Sequence, residues 1–453
     1  MHIVMNPSMN QSMNQSMNPN INPNMNIFIL PFINPTDDLH KYISLGVPTG
    51  VDTALPCSAL PCSALPCSDT IKINKTLNKY LSVVKDKIES YVEQWDRYKK
   101  YTNPYEYIHT IIPHTKLSVS TLKPLSRSFF KMVEIYNSFT LLEHNLPTPI
   151  KSFHLAEGPG GFIEALAYMR KNPNDTYYGM TLIDDKNQNV PGWRKSKYFL
   201  AKNPNVIIET GVEQNGDLMR AENLRDCYRK YHGMMELVTG DGGFDFSCQY
   251  PQQEQISTKL IMCQIAFAIA IQKVNGAFVL KLFDTFTQFS IDLLFLLSNL
   301  YETVYIMKPD TSRFANSEKY VICKGFRNKG TDKLVETFYN ILLNIDALTP
   351  SDMLQLFNMG IPYIFTRQLE EINAILGQQQ IEIIVSTIYL IEHTNNHEKM
   401  EQLKKKNIQK CITWCQKFNI PYNKFIQPNN IFLSGSSSMN ASYNITNGIT
   451  ANV

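Results

Sequence analysis

Four short stretches of this chain carry groups that could do chemistry. The first, Glu157-Gly158-Pro159-Gly160-Gly161, follows the strand-like segment Ser152–Ala156 and precedes a helical pattern from Phe162 to Met169. Glycines between a strand and a helix let backbone N–H groups and a helix N-terminus face a ligand unobstructed, which suits a nucleotide-like cofactor. The turn is neither Gly-x-Gly-x-x-Gly nor a loop closed by Gly-Lys-Ser/Thr, so dinucleotide and ATP sites lose their usual signatures. Taken alone it is equally a plain turn. The second stretch, Thr239-Gly240-Asp241-Gly242-Gly243-Phe244, leaves a carboxylate at the end of another strand-like run, where ligand crevices lie in parallel sheets; Asp241 capping its own loop is the competing reading. Third, Lys281 interrupts the apolar run Gly276–Asp284. Desolvating an ammonium is expensive, so Lys281 is a candidate base, a snorkelling edge lysine or one half of an ion pair. The fourth is Lys308–Lys333, with seven Lys or Arg against three Asp or Glu. It suits a phosphate backbone, with Arg313 offering a planar fork, or else is a solvated basic loop.

These residues need a scaffold to bring them together. Apolar runs at Tyr177–Ile183, Val206–Glu209, Met234–Thr239, Ala277–Phe283, Thr303–Met307 and Tyr320–Lys324 alternate with helix-like stretches, notably Gln255–Ile271. Short strands alternating with helices predict an α/β fold with a covered, mostly parallel sheet. Upstream, Leu77, Tyr80, Leu81, Val84, Ile88, Tyr91, Val92 and Trp95 recur at helical spacing, which predicts one amphipathic helix over Thr76–Lys100, and Ser126–Phe139 also reads as helical. From residue 331 to about 430 the pattern is helical and amphipathic, with breaks at Pro350 and Pro362. The run Lys404-Lys405-Lys406 reads as a solvated helix face, with nucleic-acid contact as the sharper alternative.

Several motifs, in order, carry a resemblance. Ser126-Arg127-Ser128-Phe129-Phe130-Lys131 through Ile135, His154-Leu155-Ala156-Glu157-Gly158-Pro159-Gly160-Gly161-Phe162, Asp241-Gly242-Gly243, Phe278-Val279-Leu280-Lys281, and Lys308-Pro309 with Arg313, Asn316, Ser317 and Glu318 resemble the FtsJ-like (RrmJ-type) RNA ribose 2′-O-methyltransferases. The resemblance covers about residues 121–330 and is nearest the cap-proximal mRNA enzymes of eukaryotes and large DNA viruses. It implies a Rossmann-like methyltransferase fold, a mostly parallel seven-stranded sheet flanked by helices, here with helical N- and C-terminal extensions. It implies S-adenosyl-L-methionine as cofactor, RNA as substrate, most of all capped mRNA, and other capping or transcription proteins as partners. By motif, the catalytic set falls on Lys131, Asp241, Lys281 and Glu318. The cofactor set falls on Glu157, Gly158, Pro159, Gly160, Gly161, Phe162 and Asp241, with Asp217 near the adenosine, and the substrate set on Arg127, Lys308, Arg313, Asn316 and Ser317. No metal is required for such a transfer. The chain departs from the family where His154 replaces an acid in the first strand and Glu157 supplies an acid in the turn.

At 453 residues the chain is long enough for one large domain with additions, or two. With 43 Lys+Arg against 40 Asp+Glu it is not a globally basic nucleic-acid coat, and nine thinly spread cysteines argue against a disulfide scaffold. The apolar run Ile27–Ile33 is short, and Phe278–Leu300 contains Lys281, Asp284 and Asp292, so a soluble protein is expected. Residues 1–36 are Asn-rich and carry no charged side chain, residues 54–68 repeat Ala-Leu-Pro-Cys-Ser three times, and the end from Ser434 is Ser/Asn-rich. Such text predicts a disordered tail over 1–36, an N-terminal extension over 37–120 with a loop at the repeat, a helical region over 331–433, and a second tail over 434–453. Long simple tails around a compact enzyme resemble proteins of large DNA viruses, so the cytoplasm of an infected cell or the virion is the expected location.

Overall fold

The computed structural model describes residues 21–22, 26–36, 38–45, 71–142, 148–184, 186–187, 190–243, 253–327, 330–349 and 352–424. The repeat at 54–68, residues 1–20 of the N-terminal tail and the tail 434–453 lie outside the described residues. Nine strands form one sheet in the order β1-β2-β8-β9-β7-β6-β3-β4-β5. Its parallel half contains β3 (Lys151–Leu155), β4 (Thr176–Met180), β5 (Val206–Ile208), β6 (Met235–Gly240) and β7 (Gln272–Leu282). β9 (Lys319–Phe326) enters antiparallel between β7 and β8 (Tyr301–Met307). The chain leaves β3 towards β4 and β5, then returns to place β6 on the other side of β3. This reversal opens a crevice at the carboxyl ends of β3 and β6, the place where open α/β sheets bind ligands.

Both faces of the sheet are buried, and the alternation of side chains decides which residue meets which layer. Ala277 and Val279 of β7 join the core that includes Phe130 and Val133, whereas Phe278 and Leu280 join the opposite core with Phe267 and Leu294. Tyr320 and Ile322 of β9 follow the first pair, and Val321 and Cys323 the second. The first face is covered by α3 (Ser128–Phe139), α4 (Gly161–Arg170) and α11 (His397–Lys417). The second is covered by α6 (Ala221–Tyr231), α7 (Gln253–Ile271), α8 (Gln288–Leu300) and α9 (Thr331–Leu343). Helices α7 and α10 (Tyr363–Glu392) are each long and apolar enough to cross a bilayer; every residue of α7 from Ile261 to Ile271 is buried inside the fold.

Two expectations need correction. The N-terminal tail is not uniformly unstructured: β2 (Ile27–Ile29) pairs antiparallel with β8, β1 (Ile21–Asn22) pairs with β2, and Phe28 and Leu30 are buried. An uncharged apolar segment beside an open sheet edge gains both ladder hydrogen bonds and burial, a partner that composition cannot reveal. The long N-terminal helix is two helices, α1 (Lys75–Asp86) and α2 (Val92–Thr102), joined by a tighter 3-10 segment over Lys87–Tyr91. Helical spacing persists through such a segment, so the apolar stripe gives no sign of it. Both halves pack on α10, through Leu81 and Val84 near Ile381 and Ile384, and through Tyr98 and Tyr101 near Leu390 and Ile391.

Candidate active site

Strand register does most of the assembly. Lys281 of β7 lies opposite Tyr320 of β9, and Glu318 stands two residues before Tyr320, on the same face by the period of two. That face is the one covered by α3, which carries Lys131 in its first turns. Helix α3 comes close because Gly161 begins α4: a Cβ there would lie 2.2 Å from both Ser126 Oγ and Ser128 Oγ. Lys131 Nζ pairs with Glu318 Oε1 at 2.6 Å, and Ser312 Oγ donates to the same oxygen at 2.6 Å. Lys281 Nζ donates to the Asp241 carbonyl at 2.6 Å and lies 3.3 Å from its Oδ1. The Tyr320 hydroxyl donates to Asp241 Oδ1 at 2.8 Å, and Lys131 Nζ sits 5.8 Å from the Tyr320 ring centre. The structure therefore brings Lys131, Asp241, Lys281 and Glu318 together as two ion pairs spanned by one buried tyrosine.

The side chains of Lys131, Glu318, Lys281 and Asp241 are 12%, 11%, 12% and 14% exposed, so the charges interact in a poorly screening setting while their tips remain reachable. Burial alone would raise the Glu318 carboxyl, but the ammonium groups of Lys131, Lys281 and Lys308 overcome it and hold that carboxyl well below its usual range. A Cβ at Gly243 would come within 3.1 Å of Lys281 Nζ, so the glycine leaves the amine its space. The Asp241 turn is fixed from the other side by buried Gln264, whose Oε1 accepts from the Gly242 N–H at 3.1 Å.

The glycine turn adjoins this cluster, with the Asp241 N–H donating to the Leu155 carbonyl at 3.3 Å. Gly160 has φ +105, a conformation other residues rarely adopt, and the Trp193 ring packs beside it. Glu157 Oε1 accepts from the Phe162 N–H at 2.5 Å. Phe162 itself was expected to line the cofactor, yet its ring is fully buried against Tyr320, so its part is packing. Ser196 Oγ donates to the Pro159 carbonyl. His154 is buried between Ser152 Oγ and Thr239 Oγ1, each 2.8 Å away, and burial pushes its imidazole down to about 3, so it stays neutral and structural.

Asp217 lies in the loop after β5. Its Oδ1 accepts from the Met219 N–H at 2.9 Å and its Oδ2 is 3.3 Å from Arg220. That loop lies along the chain leaving β4: a Cβ at Gly216 would lie 2.1 Å from the Thr181 carbonyl, and Ile183 N–H donates to the Asn215 carbonyl at 2.7 Å. The same chain carries Asp184, which the sequence reading missed. The signal was present, because an acid about 20 residues past the glycine turn at the end of the second strand is the usual ribose contact in such folds.

The expected substrate residues are placed differently from that expectation. Lys308 is 4% exposed and its Nζ donates to the Asn316 carbonyl (2.6 Å), Asn316 Oδ1 (2.8 Å) and the Glu318 carbonyl (2.6 Å). Burial pushes its ammonium down to about 7. Ser317 Oγ donates to Gln253 Oε1 at 3.1 Å. These three brace the loop from within, since a lysine with three acceptors has no N–H left for a phosphate. Arg127 and Arg313 both grip Glu106, at 2.9 and 2.8 Å. Burial would raise the Glu106 carboxyl, but the two guanidiniums bring it down to about 2. Glu134, one helical turn beyond Lys131, accepts from the N–H groups of Asp310 (2.7 Å) and Thr311 (3.2 Å) and from Trp414 Nε1 (3.3 Å). Glu106 and Glu134 were not expected: buried acids on helical text carry no local signature, and only tertiary contact shows what they hold.

A family model described as FtsJ-like methyltransferase matches residues 124–326, the span that holds all four of these residues, both glycine turns and the sheet from β3 to β9. Residues 124–326 are an FtsJ-like methyltransferase domain. The chain is 34% identical over 224 residues to Cap-specific mRNA (nucleoside-2′-O-)-methyltransferase 1 of Mus musculus, covering 48% of this chain and 26% of that protein. It is 35% identical over 206 residues to the protein of that name from Danio rerio, covering 43% and 24%. It is also 27% identical over 379 residues to Cap-specific mRNA (nucleoside-2′-O-)-methyltransferase 2 of Pongo abelii, covering 81% and 47%. The chain thus spans between about a quarter and a half of the length of these relatives.

Proposed function

We propose that this protein transfers a methyl group from S-adenosyl-L-methionine to a ribose 2′-hydroxyl of RNA, at a cap-proximal nucleotide of mRNA. The observation that carries the reading is the pair of ion pairs, Lys131 with Glu318 and Lys281 with Asp241, beside the glycine turn at the crevice of the FtsJ-like domain. The names of the similar proteins support the choice of mRNA. The turn fits the cofactor: its glycines leave backbone exposed, α4 begins there, Asp184 stands at the end of the second strand, and Glu157 Oε2 is a buried acceptor without a donor. Bound there, S-adenosyl-L-methionine supplies a methyl group on a positively charged sulfur.

A ribose hydroxyl attacks poorly until its proton leaves, so the protein must accept that proton and steady the oxygen. In its neutral form Lys281 has two N–H bonds and one lone pair. The two N–H groups are matched by the carbonyl and carboxylate of Asp241, which leaves the lone pair as the proton acceptor. Lys131, charged and held by Glu318, stabilises the negative charge that grows on the 2′-oxygen. Asp241 and Glu318 orient the two amines, and Tyr320 fixes Asp241. Arg127 and Arg313, part-exposed on the rim, are the side chains left to meet RNA phosphates. Action in the cytoplasm of an infected cell, or in a virion, and association with other capping or transcription proteins belong to the same reading; the simple-sequence composition supports the first.

Methyl transfer to matched capped and uncapped short RNAs, followed by digestion to locate the modified nucleotide, tests the proposal. Transfer to the ribose of a cap-proximal nucleotide is the expected result. Equal transfer to uncapped, ribosomal or transfer RNA would redirect the substrate assignment, and no transfer to any RNA would end it.

A further inference from the structure

Glu157 is enclosed in the glycine turn, 3% exposed, with its two carboxylate oxygens in unlike situations. Oε1 closes the first turn of α4 through the Phe162 N–H. Oε2 is buried and has no hydrogen-bond partner. A buried acceptor left without a donor costs about 1–3 kcal/mol, more when it carries charge, so its retention calls for a donor that arrives from outside the fold. The first strand, where an acid would ordinarily serve the cofactor, offers only His154, whose two ring nitrogens are already engaged.

Building on the cofactor reading above, we infer that Glu157 Oε2 is the acceptor for the α-ammonium group of the cofactor's methionine portion. The ligand's chemistry matches what surrounds the oxygen. An ammonium brings N–H donors and a positive charge to a place where Glu157 and Asp241 put two carboxylates near one lysine, Lys281. A water molecule would supply a donor but leave the carboxylates repelling each other.

The assignment has a consequence in protons. Burial first, and then the charge of Asp241, push the Glu157 carboxyl well above its ordinary range, while the N–H groups of Phe162 and Ile163 and the Lys281 ammonium pull it partly back. The other titratable groups facing it are Tyr320 from β9, held neutral by burial, and His154 within β3, also neutral. In the ligand-free protein Glu157 therefore holds its proton to higher pH than a free carboxylic acid. An arriving ammonium favours the ionised form and drives that proton off.

Calorimetric titration of the full chain with S-adenosylhomocysteine, and with its analogue in which hydrogen replaces the α-amino group but the carboxylate is kept, tests the inference. Wild type is expected to prefer the amino form by about 10–100-fold, the usual worth of a hydrogen bond to a charged group. Glu157→Gln, which keeps an oxygen for the Phe162 N–H, should lose most of that preference while binding the desamino analogue as wild type does. Repeating the titrations on the acidic side of neutrality in buffers of different ionisation heat should show proton release with the amino form alone. Equal binding of the two ligands by wild type, or a full preference retained by Glu157→Gln, overturns the ammonium assignment and leaves the cofactor reading standing. Failure of wild type to bind S-adenosylhomocysteine at all sinks both. If Glu157→Gln does not fold, the wild-type preference and proton release decide alone.

Discussion

Lys281 is the residue on which the proposed chemistry turns, and its two neighbours at Asp241 and Gly243 make its replacement informative. Lys281→Ala should lower the single-turnover rate by about 10²–10⁴-fold, the worth of positioned proton transfer, while S-adenosylhomocysteine affinity changes little because the glycine turn is on another strand. Lys281→Arg should rescue almost nothing, since a guanidinium keeps the charge but does not release its proton. Rates measured at saturating cofactor and RNA check both; an arginine variant near the wild-type rate would leave only a charge role. Glu106 provides a pH prediction. Its folded value of about 2 lies below the model value of 4.5, so its contribution is present above about pH 4.5 and is lost as pH falls through about 2. Urea denaturation across that window should show a loss of about 3 kcal/mol, and Glu106→Gln should flatten the slope while destabilising the protein at neutral pH by leaving Arg127 and Arg313 unpaired.

At the scale of elements, β2 matters more than its three residues suggest. It covers the edge of β8, buries Phe28, and Asn26 at its start accepts the backbone N–H of Lys308, the lysine that braces the Glu318 loop. Removing residues 1–20 and 434–453, whose composition offers little apolar area, is expected to leave methyl transfer within a few-fold of the full chain. Removing residues 1–36 should instead lower the melting temperature by several degrees and slow transfer. A 1–36 deletion that melts and turns over like the full chain would make β2 an ornament of the edge. Helix α1 shows the same logic in ionic form. Lys85 reaches Asp284 at 2.8 Å, three residues beyond Lys281, which ties the N-terminal extension to the strand that carries the proposed base.

At the scale of the whole molecule, the FtsJ-like span does not enclose its own core. The core over α3 includes Tyr107 and Ile108 from before the span and Cys411, Ile412 and Trp414 from α11 after it, with Trp414 packed edge-on against Phe130, 6.0 Å between ring centres. Trp414 also donates to Glu134, on the helix that carries Lys131. Cutting the chain down to residues 121–330 would strip that face and expose Phe130 and its neighbours. Such a fragment is expected to be insoluble or to lose its cooperative transition, tested by soluble yield and thermal melting beside the full chain. A fragment melting within about 5 °C of the full chain would show that the terminal helices are accessory.

What the sequence determined by itself was local. The glycine turns, the strand-ending Asp241, the odd lysine in β7 and the helical text of α3, α4 and α7 were legible because each is written within a few neighbouring residues, and motif order added Lys131 and Glu318. The sheet was legible for a related reason: its strands alternate with helices, and alternation fixes the layers. Only the tertiary structure decided what each polar group holds. Lys308 and Arg313 belong to the same basic stretch, yet one is turned inward under Glu318 and the other grips Glu106, a residue 207 positions earlier. Glu134, Trp414, β2 and the break at Lys87–Tyr91 were hidden for the same physical reason. Their partners are distant in the chain, and a hydrogen bond, a buried ring or a paired sheet edge is a property of two segments that neither segment states alone.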